Sequence, residues 1–259
     1  MEPGIISKEY YIGRYIYLTG ELRKLPDISF ARIGKYDGVC IRFTDPETGN
    51  PVRKRLTEMN KDWERYRVIA VCKLELQKQL NKLLANWKSD HKGRLDVLAQ
   101  DYELCPDTDN RFNSEFWNSL EADCNPFPKE FPTVHNGIIM RSDFEAEVAG
   151  LLEDMGIEYK YEVALDLGYR KPFYPDFALH YPEFNRCGFV EALGGLGGMK
   201  YVSHTSFGFD AFANKGLYPN RDVVYIPADR EYKPDQESIK RMIGVMCDTL
   251  ARQYIRRKS

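Results

Sequence analysis

The sequence predicts an α/β fold, and three observations predict it. From residue 142 onward, helical apolar spacing and strand-like alternation follow one another in the order helix, three strands, helix, strand, helix. Apolar residues make up 43% of the 259-residue chain and aromatics 13%, enough for a sizeable core and too much for global disorder. The run Arg221–Ile226 is apolar through its middle, as a buried strand would be.

Taken in order, residues 1–100 are expected to form a small β-rich and helical region. Residues 10–60 read as strands and turns: Ile28–Ile33 alternates, Lys35–Gly38 is turn-like, Gly38–Phe43 is the next strand, and Asp45–Pro51 is a second loop. From about Lys61 to Trp87, the residues Val68, Cys72, Leu76, Leu80, Leu83, Leu84 and Trp87 recur at spacings of three and four. That predicts a helix with one apolar stripe, packed on its own domain, on a partner helix or in a dimer seam. Residues 101–136, with four prolines among Asp, Asn and Ser, read as a loop-rich connector.

Residues 137–259 are more legible. Ser142–Glu145 has the S-x-x-E form of a capping box, Phe144, Val148, Leu151, Leu152 and Met155 follow at helical spacing, and Gly156 is a natural stop. Ile157–Leu165, Phe173–Leu179 and Cys187–Leu193 are expected strands, and from about Pro234 a helix carries Ile239, Met242, Ile243, Met246 and Leu250 on one face.

Composition narrows the function classes. No run of eighteen apolar residues occurs, so no membrane span is expected. The N-terminus lacks a basic and then apolar leader, which makes the cytoplasm the expected location. Six cysteines without a CxxC pair and four histidines without HxxxH leave no disulfide framework and no zinc signature. Residues 1–100 hold 19 Lys and Arg against 13 Asp and Glu, and the remainder holds 18 against 26. The basic part suits phosphate contacts, through a sheet carrying Arg32, Lys35, Arg42, Arg53, Lys54 and Arg55; ordinary solvated faces would give the same composition.

Three acids fall where this layout can gather them. Glu145 is in the first turn of the expected helix, Asp176 on the second strand facing away from Phe177 and Leu179, and Glu191 on the third. Adjacent strands are about 5 Å apart, so Asp176 and Glu191 can share one hard cation, which would activate water and stabilise charge in phosphodiester hydrolysis. Simpler roles exist for two of them: Glu145 can close the capping box on Ser142, and Asp176 can be a turn residue. Glu191 is harder to dismiss, because an unpartnered carboxylate inside an apolar strand is costly. Gly194–Gly198 matches neither a P-loop nor a dinucleotide fingerprint and reads as a flexible turn. Tyr10, Tyr11, Tyr15 and Tyr17 around Arg14 read as a packed β face before a base-stacking platform, and Arg256–Lys258 as a helix-end or phosphate contact.

The motifs Arg141–Leu152, Gly156–Glu162, Tyr174-Pro-Asp-Phe177 and Val190-Glu-Ala-Leu-Gly194 resemble the PD-(D/E)xK superfamily, and within it a bacterial and phage branch of restriction-endonuclease-like proteins with RSxSE, YPDF and EHLG-type motifs. The resemblance covers residues 137–230. It implies a restriction-endonuclease-like core of helix, mixed β-sheet and helices, and a nuclease that cuts DNA with Mg²⁺ or Mn²⁺. It makes Asp176 and Glu191 the metal ligands with the Ala192 carbonyl as a third, and Glu145 an auxiliary acid. The lysine of the usual E-x-K pattern is replaced by Leu193, leaving Lys200 as the nearest basic candidate, ahead of His204 and Lys215. The alternative expectation is a nuclease-fold protein without catalysis that binds nucleic acid or serves assembly. A homodimer is one assembly this allows, since cutting two strands often calls for two active sites.

Overall fold

The computed structural model describes residues 6–194, 199–229 and 231–258, with side chains throughout these except at 199–205. Ser7 opens the first helix, α1 (Lys8–Lys24): its side chain accepts the Tyr10 amide, Glu9 sits in the first turn, and Arg23 and Lys24 in the last. Leu25, extended before Pro26, ends it. This corrects the strand expectation for residues 10–24. The tyrosines there favour strands locally, but Tyr10, Arg14 and Leu18 fall four apart and are buried together, so tertiary packing overrides propensity.

Strands β1 (Asp27–Ile33), β2 (Tyr36–Thr44) and β3 (Pro51–Thr57) form an antiparallel sheet in that order. Ile28, Val39, Ile41 and Leu56 are buried on one face against Trp63, Tyr66, Ile69 and Ala70 of α2 (Trp63–Asp90). The apolar stripe of α2 divides. Val68 and Cys72 are exposed, whereas Leu80, Leu83 and Trp87 are buried with α1 in the main core. Residues on both sides of position 100 therefore share one core. After α2 come α3 (Leu95–Leu98), the short β4 (Tyr102–Leu104), α4 (Ser114–Ser119) and the hairpin β5 (Thr133–His135) and β6 (Ile138–Met140).

Helix α5 (Asp143–Met155) begins at Ser142, whose hydroxyl accepts the Glu145 amide, and stops at Gly156 with φ of 72°. Strands β7 (Glu158–Tyr161), β8 (Phe177–Tyr181) and β9 (Arg186–Leu193) follow, then α6 (Met199–Ala213), β10 (Val223–Pro227), α7 (Gln236–Tyr254) and β11 (Ile255–Arg257), which pairs with β4. The main sheet runs β10-β9-β8-β7; β7, β8 and β9 are antiparallel neighbours and β10 lies parallel to β9. On one face Phe177, Leu179, Val190 and Ile226 pack with α1, α5 and α7. On the other, Ala178, Phe189 and Val223 pack with Trp117 of α4 and Phe212 of α6. The α/β class holds, with the sheet mixed. Among the described residues no helix is long and apolar enough to cross a membrane.

Candidate acidic site

Register brings the first two acids together. Phe177 pairs with Val190, so one residue further Asp176 stands opposite Glu191. Asp176 Oδ2 accepts the Ala192 amide at 2.6 Å, fixing that carboxylate on the neighbouring strand. Alternation sends Asp176 and Glu191 to the face of Ala178 and Phe189, the α6 side. The row continues both ways: the Glu162 amide bonds the Asp176 carbonyl at 3.0 Å, and Tyr225 is the partner of Glu191 on β10. Tyr225 stacks on Phe209 of α6 at 3.9 Å.

Glu145 comes from the other side of the sheet. Its Oε2 accepts the Tyr161 hydroxyl at 2.6 Å and the Arg141 amide at 3.0 Å. It therefore reaches one residue beyond the Ser142 amide expected of a capping box. Burial raises the Glu145 carboxyl above the usual range against these hydrogen bonds. Asp176 and Glu191 are raised well above theirs, first by burial; Glu145 adds repulsion at Asp176, and both Asp176 and Glu145 add it at Glu191.

A fourth acid was not singled out by the sequence. Glu162 is buried at the end of β7 with φ of 46°, a left-handed conformation unusual for a glutamate. Its carboxylate is held by Arg141 Nε, Asn125 Nδ2 and, at 3.6 Å, Lys129 Nζ. Arg141 also donates to the Pro128 and Phe127 carbonyls at 2.8 and 2.9 Å, so one guanidinium ties the connector to the acid row. The sequence carries no signal that sets Glu162 apart, since it continues the polar positions Glu158 and Lys160 of an alternating strand.

Whether the residues fit a divalent cation turns on Glu191. Its Oε1 is buried with no hydrogen-bond partner among the described residues, an oxygen that an ion facing Asp176 would satisfy. The Ala192 carbonyl accepts the Gly194 amide at 2.9 Å and keeps a second lone pair for a ligand bond. Among the described residues no group of three His, Cys, Asp or Glu side chains is arranged to hold a metal, so the fit is that of two carboxylates and a carbonyl. Leu193 is buried, and alternation turns it to the Glu191 face. Lys200 and His204 lie on α6 with their side chains outside the described residues, as does Gly195–Gly198 altogether. Lys215 stands apart, with its Nζ against Gly168. A cavity of about 680 Å³ opens beside the start of α5 and the end of β9, lined by Phe131, Thr133, Asp143, Phe144, Gly194 and Lys233.

The five basic residues expected to hold nucleic acid do not share one surface. Arg53 and Arg55 alternate with the buried Leu56 and lie on the free face of the three-stranded sheet; Arg32 and Lys54 project from the α2 side, and Lys35 is in the β1–β2 turn. Arg42 joins the first pair, directly across from Arg53.

Comparison with known proteins finds no family model, no curated protein and no solved structure that matches this chain.

Proposed function

We propose that this protein is a metal-dependent nuclease that hydrolyses DNA phosphodiester bonds. The observation that carries the reading is the pair Asp176, just before β8, and Glu191 on β9, held opposite each other by the strand register, with a buried Glu191 oxygen that has no partner among the described residues. The mixed sheet between α5 and α7 on one side and α6 on the other supports it, since the sequence resemblance implies a core of helix, mixed sheet and helices. Asp176, Glu191 and the Ala192 carbonyl would hold Mg²⁺ or Mn²⁺, which when bound supplies an activated water and charge stabilisation. Asp176 is oriented for this by the Ala192 amide, and Glu145, fixed by Tyr161 and the Arg141 amide, would orient water at the edge of the pair.

One observation favours a second reading, a nuclease-fold module that binds without cutting: the strand position where an ammonium would stand is the buried Leu193. Cleavage of plasmid and single-stranded DNA with Mg²⁺, Mn²⁺ or EDTA separates the two. Metal-dependent cutting that is lost in Asp176→Asn and Glu191→Gln supports the nuclease. A folded protein that cuts under none of these conditions, or an Asp176→Asn variant with full activity, overturns it.

A further inference from the structure

The free face of the three-stranded sheet differs from the acid row in charge, position and shape. Alternation puts Ser29, Ala31, Gly38 and Cys40 at its centre and Arg42, Arg53 and Arg55 along one end. The three arginines are exposed, and Asp27, 3.4 Å from Arg42, is the one acid on this face of the strands. Arg53 Nε lies 2.8 Å from Cys40 Sγ, so its side chain lies flat on the sheet. At Gly38 the Ile33 side chain lies down on the sheet, and a Cβ there would collide with Ile33 Cδ1 and come within 2.7 Å of the Leu56 carbonyl. The opposite face is closed by α2, which makes the sheet a stiff plate.

We infer that this face is a docking surface for duplex DNA, separate from the acid row. Three strands span roughly 10 Å, which matches a major groove about 12 Å wide. A-form RNA offers a deep, narrow major groove that side chains cannot enter. Single strands are held by stacked aromatics, yet Phe30 and Phe43 project from the α2 side and the free face carries Tyr36 alone. The plate is also remote from the candidate metal ligands. The second half of α2 is pinned to the far end of α5, through Lys82 to the Glu153 carbonyl and Asn86 to the Asp154 carbonyl, whereas Glu145 is in the first turn. Along α5, Glu145 is separated from these contacts by about 13 Å, and along α2 Lys82 is separated from Ala70, which packs on the plate, by a further stretch of about 18 Å. Duplex gripped by the plate is thus held away from the acid row. The inference rests on the reading of the protein as one that handles DNA, and not on catalysis.

The test is binding of the full chain to a labelled duplex in EDTA, over a range of salt, beside the single strand of the same sequence. Wild type is expected to prefer duplex. Arg42→Ala/Arg53→Ala/Arg55→Ala should weaken it more than about 10-fold and flatten the log–log salt slope by about 0.9 per lost phosphate contact. Arg32→Ala/Lys54→Ala, on the other face, should change affinity less than about 3-fold on the same scale. Arg55→Glu alone should reproduce the loss if the triple variant folds poorly. Absence of duplex binding, equal affinity for single strands, or equal loss in both sets of variants overturns the inference. Failure of the nuclease reading shows instead as binding without metal-dependent cutting.

Discussion

Asp176 and Glu191 are cross-strand neighbours, and the amide following Glu191 donates to Asp176 Oδ2 at 2.6 Å. Two carboxyls held in this way are partly withdrawn from water and repel one another, and burial first and repulsion second raise both well above their ordinary range. A divalent cation would remove that cost. Replacing either ligand should lower metal-dependent cleavage by more than about 100-fold, beyond the roughly 10–100-fold effect of losing an outer partner. Initial rates at saturating Mg²⁺ check this.

The same repulsion makes a prediction about stability. A carboxyl raised in the folded state binds its proton more tightly there than in the unfolded chain, so stability is highest below the unfolded value near 4 and declines as pH rises through the folded value. Without metal, thermal melting should therefore fall from pH 5 towards neutrality, at up to about 1.4 kcal/mol per pH unit for each linked proton. Asp176→Asn should melt higher than wild type at pH 7 and flatten this dependence, and Mg²⁺ should raise the wild-type midpoint but not the variant's.

Leu193 occupies the Glu191 face of β9. If the protein cuts DNA, Leu193→Lys places an ammonium beside the carboxylate pair and should raise the cleavage rate about 10-fold, the low side of what a positioned proton-transfer group contributes. Single-turnover rates at fixed metal would show it; a variant slower than wild type would contradict it.

Arg14 and Glu183 form a buried ion pair at 2.6 Å between α1 and the turn after β8, and Arg14 also donates to Gln79 Oε1 at 2.9 Å. Arg14→Met would leave the glutamate buried and unpaired, a loss of about 3–5 kcal/mol. Denaturant unfolding should show the midpoint falling without a change in slope.

Arg141 links Glu162 to the carbonyls of Phe127 and Pro128. Arg141→Lys keeps the charge but loses the planar fork, so limited proteolysis should open the chain near residues 125–132 faster than in wild type.

Much of this was legible from order and spacing alone. The helix after Ser142, the strand carrying Glu191, the strand at Val223 and the last helix all follow from the apolar spacing within each segment, whereas Asp176, expected on a strand from Phe173, lies just before β8. Helix α1 was misread because its apolar content is aromatic and its buried face includes Arg14, whose partner Glu183 is 169 residues away. The role of Glu162 was hidden for a similar reason: its partners Asn125 and Lys129 lie in a connector without periodicity, and Arg141 lies between β6 and α5.

By itself the sequence determined the α/β class, the start and stop of α5, and the strand that carries Glu191, since these depend on neighbours within a few residues. Only the tertiary structure decided which residues meet. Register set Asp176 opposite Glu191, the sheet faces separated Arg53 and Arg55 from Arg32 and Lys54, and α2 joined the basic plate to the far end of α5. Such contacts arise from strand pairing and packing between distant segments, whose energies no local pattern of residues records.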